Sequence, residues 1–223
     1  MKLQYLGDSK DSFKWDYHHF LMEALNYSSL QIVWMMTPDD GGPDGRSAPE
    51  LFPACPEILQ LCRQLRSTRD PALIVDLPTA GRTSYSVSVH QTEKVAANDA
   101  QRCFFSGVET TPNQVTFLDP DNGFEPESSS SDKHVRYADL DRLINAMPPE
   151  SVVTVFQHQR RKKFPNDFAR IRERLISGDS CAIYWQSLMF ACVSRSQDVI
   201  GRVRDIHLEY AQHRPVHVLA GTP

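Results

Sequence analysis

The sequence predicts an α/β fold: a single-domain layered fold over residues 1–223, with a mostly parallel central sheet flanked by helices. Apolar runs of strand length, such as residues 30–36 and 152–156, alternate with segments of helical periodicity. Several of these runs stop abruptly at polar clusters, as strands do at the edge where an open α/β sheet places its ligands. The 223 residues, 40% hydrophobic and 23% charged, suffice for one substantial core, and no long linker divides them.

Residues 3–6 read as a short first strand ending at Gly7-Asp8. Asp11 then reads as a helix N-cap, since Phe13, Tyr17, Phe20, Leu21 and Leu25 follow at helical spacing. Charge is dense here: Asp8, Lys10, Asp11, Lys14 and Asp16 surround the start of a core helix. Asp11 and Asp16 are read equally well as functional residues or as a cap and a solvated face. Asp8 follows a glycine at a strand end, before a cap is needed, and is read as functional.

Residues 30–36 (LQIVWMM) form a strand that ends in the glycine-, proline- and aspartate-rich loop 37–45. The loop's carboxylates could hold a metal, but the glutamate that completes an EF-hand is missing, so a lid or a plain long loop is preferred. Residues 56–66 predict a helix with Ile58, Leu59, Leu61, Cys62 and Leu65 inward, 72–77 and 85–89 two short strands, and 92–105 a weaker helix.

The chain is organised around residues 114–123 (QVTFLDPDNG). Val115, Phe117 and Leu118 predict a buried strand, and Pro120 and Gly123 end it, so that Asp119, Asp121 and Asn122 project from the sheet edge. A serine-rich connection, an extended piece at 134–137 and a helix over 139–146 follow. Residues 152–156 form another apolar strand, ending in Gln157-His158 and the basic run Arg160, Arg161, Lys162 and Lys163. A helix at 166–176, two strands at 180–185 and 188–193 forming a hairpin at one sheet edge, a helix at 197–211 and a strand at 216–219 complete the order.

In a mostly parallel sheet, the ends at Asp8, at Asp119 to Asn122 and at Gln157-His158 converge on one edge. Two aspartates there can position or deprotonate a water or stabilise a cationic transition state. An asparagine reads an amide-like edge, and a histidine can donate to a developing anion. Asp8, Asp119 and Asp121 could instead share a divalent metal, and the DPDNG segment is also a good tight turn. From Arg160 to Arg174 seven basic residues stand against Asp167 and Glu173 on a chain of net charge -4. That run fits phosphate contact or a solvated face.

Other classes are excluded or demoted. No P-loop, G-x-G-x-x-G or G-x-S-x-G pattern is present. Asp119-Pro120 begins like the D-P-P-aromatic motif of amino-directed nucleic-acid methyltransferases, but Asp121-Asn122 replace the proline and aromatic, so that reading ranks third. Five cysteines, with no C-x-x-C pair and no zinc-like spacing with histidine, fit reduced and mostly buried thiols in a cytoplasmic protein. The N-terminal residues turn polar too soon for a secretory segment, and no apolar run approaches the roughly 18 residues of a membrane span.

The segments GDSKDSFKWD (Gly7 to Asp16), WMMTPDDG (Trp34 to Gly41), FLDPDNG (Phe117 to Gly123), KHVRYADL (Lys133 to Leu140) and VFQHQRR (Val155 to Arg161) resemble a widespread family of small, uncharacterised bacterial proteins. The chain is also similar to anti-phage DNA glycosylases that excise glucosylated hydroxymethylcytosine and have a uracil-DNA-glycosylase-like fold. It lacks the G-x-D-P-Y and H-P-S motifs usual in uracil glycosylases. That resemblance implies a nucleotide flipped out of modified viral DNA into the sheet-edge pocket. Asp8 or Asp119, with Asp121 alongside, would stabilise oxocarbenium character and position water. Asn122, Lys14 and Gln157 would contact the substrate, His158 would assist the leaving base, and Arg160, Arg161, Lys162 and Lys163 would hold phosphates. It implies no metal or cofactor, no membrane and no obligate protein partner. A metal-dependent nuclease and a non-catalytic nucleic-acid binding module are the alternatives.

Overall fold

The computed structural model describes residues 2–38, 45, 47–90, 105, 107–127 and 131–219. Its strands are β1 (Ser29–Trp34), β2 (Ser86–His90), β3 (Gln114–Asp119), β4 (Gly123–Phe124), β5 (His134–Val135), β6 (Val152–His158), β7 (Asp179–Trp185), β8 (Leu188–Ser194) and β9 (His217–Leu219). Seven of them form one sheet in the order β2-β1-β3-β6-β8-β7-β9, and β4 pairs with β5 separately. β2, β1, β3 and β6 are parallel neighbours, β8 runs against β6, and β7 and β9 alternate beyond it. Five of the seven strands therefore point the same way. The chain leaves β1 for β2 on one side and returns as β3 on the other, which makes the carboxyl ends of β1 and β3 the place for a ligand crevice.

Period-2 alternation divides the core between the two faces. Leu30, Ile32 and Trp34 of β1 and Phe117 of β3 face one core, while Val33 and Leu118 face the other. The first core is covered by α1 (Ser9–Leu25), α2 (Pro56–Thr68), the short α3 (Leu77–Gly81) and, later in the chain, the helix Gln197–His213. The second is covered by α4 (Tyr137–Ala146) and α5 (Phe164–Arg174). The helix Gln197–His213 is α6. One domain with helices on both faces results, as the apolar patterning predicts. Among the described residues, no helix is long and apolar enough to cross a membrane.

α1 is unusual in burying 13 of its 17 residues, charged ones included. A helix so largely enclosed must pair each buried polar group or lose on the order of 1–3 kcal/mol for each left alone. His18 does so by donating from Nδ1 to the Lys14 carbonyl at 2.7 Å and accepting at Nε2 from the Thr154 hydroxyl at 2.7 Å. Burial lowers its pKa to about 3, so it is neutral.

Several expectations are corrected. Residues 3–6 are not a strand: Leu3–Tyr5 is a turn of 3-10 helix outside the sheet. The α1 N-cap is Asp8, whose side chain accepts from the Lys10 and Asp11 amides, rather than Asp11. Asp11 and Asp16 are not solvated, at 1% and 3% exposure. Residues 72–77 form the 3-10 helix Pro71–Asp76 running into α3, because Asp70 caps the Ala72 amide and only Ile74 and Leu77 turn inward. The β7–β8 hairpin is internal to the sheet, since β9 covers its outer side. Nearly all of the expected 92–105 helix and most of the 37–45 loop lie outside the described residues.

Candidate active site

Gly7 turns the chain into α1 with φ +72°, and a Cβ there would come within 2.1 Å of the Cys62 carbonyl oxygen of α2. Only glycine meets both demands. The turn delivers Asp8, Asp11 and Lys14 along the first turns of α1 to the carboxyl end of the sheet. Asp119 ends β3 there, and β6, the parallel neighbour of β3, brings His158. Together they line a cavity of about 510 Å³, within the usual range for a small-molecule site.

The floor is acidic and buried. Asp8, Asp11, Lys14 and Asp119 are each no more than 3% exposed. Lys14 Nζ lies 2.9 Å from Asp11 Oδ1 and 2.9 Å from Asp119 Oδ2, and Asp11 Oδ2 also accepts from the Gly7 amide at 2.8 Å. Burial opposes the Lys14 charge, but Asp11 and Asp119 outweigh it and leave its pKa raised, so it is an ammonium. Burial also raises the Asp119 carboxyl, against the pull of Lys14. Among the described residues, Asp8 has no cation so close. Burial, followed by the Asp11 charge, lifts its pKa from 3.8 to about 6, against the opposing effects of its bond to the Asp11 amide and of Lys14 and Lys10. Both cap bonds, from the Lys10 amide at 2.8 Å and the Asp11 amide at 3.1 Å, fall on Asp8 Oδ1. The cap leaves the second oxygen unused.

The rim is basic. Lys10, Lys133, His134 and Arg160 line the cavity and are partly exposed. Lys10 Nζ donates to His158 Nε2 at 3.1 Å. An ammonium has no lone pair, so Nε2 accepts and His158 carries its proton on Nδ1. Thr37, from the segment after β1, donates its hydroxyl to Asp121, which also lies 4.0 Å from Lys2 Nζ. Asn122 Nδ2 is 3.5 Å from His134 Nε2.

The structure thus brings Asp8, Lys14, Asp119, Asp121, Asn122, His158 and Arg160 to one cavity. Gln157 lies elsewhere. It is fully buried, accepting from the Phe124 amide at 2.8 Å and donating to Asp167 at 3.0 Å, and it thereby ties β4 to α5. Gly123, with φ +105°, is required beside it, since a Cβ would sit 2.1 Å from Gln157 Oε1. Arg161, Lys162 and Lys163 are exposed on the bend before α5 and do not line the cavity. The rest of the basic run is partly spent internally. Arg170 pairs with Asp167 at 2.7 Å, and Arg174 stacks 4.2 Å over the Tyr137 ring.

Sequence reasoning read Asp11 as a cap without assigning it to the site, and gave no role to Lys2, Tyr5 or Lys133. The Asp11–Lys14 pair at i, i+3 was a legible signal; Lys2 had none. Comparison with known proteins finds no matching family model, no matching curated protein and no matching solved structure.

Proposed function

We propose that the protein hydrolyses an N-glycosidic bond of a nucleotide flipped out of DNA, and that a modified cytosine carrying a glucosylated hydroxymethyl group is the base released. The observation that carries the reading is the charge arrangement of the floor. Asp8 has a pKa of about 6, beside an ion pair in which Lys14 is fixed between Asp11 and Asp119. Departure of the base leaves positive charge on the sugar, and preorganised carboxylates in a buried site stabilise it without reorganising. Above pH 6 the Asp8 carboxylate is ionised and positions water for attack at the anomeric carbon. Asn122 at the wall reads the base edge. The Lys10–His158 pair delivers a proton to the departing base, and Lys10, Lys133 and Arg160 at the rim neutralise flanking phosphates. The uracil-DNA-glycosylase-like fold implied by the resemblance belongs to this same proposal.

A metal-dependent nuclease fits less well. Asp119 already shares a cation, the Lys14 ammonium, with Asp11, and no three carboxylates among the described residues gather within 4.8 Å of one another. The deciding experiment incubates the protein with EDTA and either unmodified or glucosyl-hydroxymethylcytosine DNA, then adds alkali. Alkali-labile sites in the modified DNA alone, reduced at least 100-fold by Asp119→Asn, are the expected result. Intact DNA in EDTA that is cut once magnesium is restored would assign the carboxylates to metal binding instead. Binding of DNA with no product under either condition would leave a binding module.

A further inference from the structure

A second polar cluster lies away from the cavity, in the core between the sheet and α6. Cys181 of β7 and Cys192 of β8 are direct cross-strand partners. His207 of α6 and Tyr17 of α1 close over them. The thiol sulfurs and an imidazole nitrogen of the first three lie within 4.8 Å of one another, and all four residues are at most 1% exposed. His207 Nε2 is 3.7 Å from Cys192 Sγ, and the Tyr17 hydroxyl is 2.8 Å from Nε2 and 3.1 Å from Cys192 Sγ.

From these positions we propose a structural site for a thiophilic divalent cation, zinc above all, with Cys181, Cys192 and His207 as ligands and the Tyr17 phenol oxygen as the fourth. With metal–sulfur and metal–nitrogen bonds of about 2.3 and 2.0 Å, a tetrahedral sulfur–nitrogen edge is about 3.6 Å. The Cys192–His207 separation is close to that already. The phenol lies nearer than a ligand would, so ion entry moves Tyr17 outward by about half an ångström. Charge also balances: each thiol loses its proton to solvent on binding, and two thiolates neutralise a dication, so the buried complex is neutral. His207 Nδ1 has no hydrogen-bond partner among the described residues. A ligating histidine without that outer partner loses roughly 10- to 100-fold in affinity, so the site is expected to be weaker than a four-cysteine one. It would join α1, which carries the floor of the cavity, to the β7–β8 hairpin and α6.

The test uses the full chain without a metal-binding tag, unfolded with chelator and reductant and refolded with Co²⁺. Thiolate-to-cobalt charge transfer and the intense visible bands of tetrahedral cobalt should saturate at about one ion per chain and be absent when excess Zn²⁺ is present during refolding. Tyr17→Phe should keep the charge transfer and shift the visible bands, while Cys181→Ser with His207→Ala abolishes both. Should that double variant fail to fold, X-ray absorption of the zinc-refolded parent decides: two sulfurs at about 2.3 Å are expected. No cobalt spectrum in the parent, a first shell of nitrogen and oxygen alone, or a spectrum untouched in the folded double variant overturns the site. The cluster has no appreciable exposure, so EDTA acting on the folded protein leaves the ion in place. Glycosidase activity in EDTA therefore says nothing about it.

Discussion

Two groups of buried aspartates hang from the same helix and do opposite things. Asp16 accepts from the Tyr210 hydroxyl at 2.7 Å, from Arg214 Nε at 2.7 Å and from the Cys55 amide at 2.7 Å, all supplied by α6, the residues after it and the entry to α2. Among the described residues it lines neither of the two cavities that Asp8 lines, and its charge is spent tying three segments together. Asp8, one turn from Asp11 and two from Asp16, opens on a cavity with one oxygen unused by its cap, and burial has shifted its protonation to about pH 6. The difference teaches that burial of charge is no sign of function by itself. What marks a reactive carboxylate is incomplete compensation beside accessible space.

The sharpest way to break that comparison is to remove Asp16. Asp16→Ala strands the Arg214 guanidinium and the Tyr210 hydroxyl, and we expect a loss of about 3–5 kcal/mol in denaturant unfolding. Activity per folded molecule should remain within about threefold, because nothing of the cavity is touched. A large loss of turnover without loss of stability would erase the distinction between the two groups.

Asp8→Asn should behave inversely. In the parent, the folded Asp8 pKa of about 6 lies above its ordinary 3.8, so between those pH values the native state binds more protons than the unfolded state. Its contribution therefore favours folding least above pH 6, by up to about 3 kcal/mol relative to pH 4. Asparagine keeps the cap and removes the titration, so the variant should be as stable as the parent at pH 8 or more so, while losing activity. In the parent, kcat/KM should rise with pH through a limb near 6. A falling limb there would make Asp8 a general acid rather than an ionised carboxylate.

The smallest effect concerns the rim. Arg160 lines the cavity, whereas Arg161 and Lys162 do not. Arg160→Ala should weaken DNA binding and flatten its salt dependence by about one phosphate contact. Arg161→Ala with Lys162→Ala should change Kd less than threefold in the same titration.

Much of the fold was legible because apolar periodicity is local. The runs at Leu30, Val115, Val152, Ser180 and Leu188 became strands, and the helical stretches around Leu61, Leu143 and Val203 became helices. The failures were also local in cause. Residues 72–77 are apolar enough for a strand, but Asp70 and Pro71 started a helix that the run could not refuse. Gln157 lay next to His158 in a motif, yet alternation along β6 turned the two side chains to opposite faces and put only one in the cavity.

By itself the sequence determined the class of fold, the two strand ends at Asp119 and His158, and the acidic start of α1. Composition and spacing suffice for those, since strand and helix periods are short. Only the tertiary structure decided that Asp119 joins the Asp11–Lys14 pair, that Asp16 is an anchor, and that Cys181, Cys192 and His207 meet. Each depends on strand register and helix packing, which bring together groups from 11 to 198 residues apart by distances that no spacing in the chain encodes.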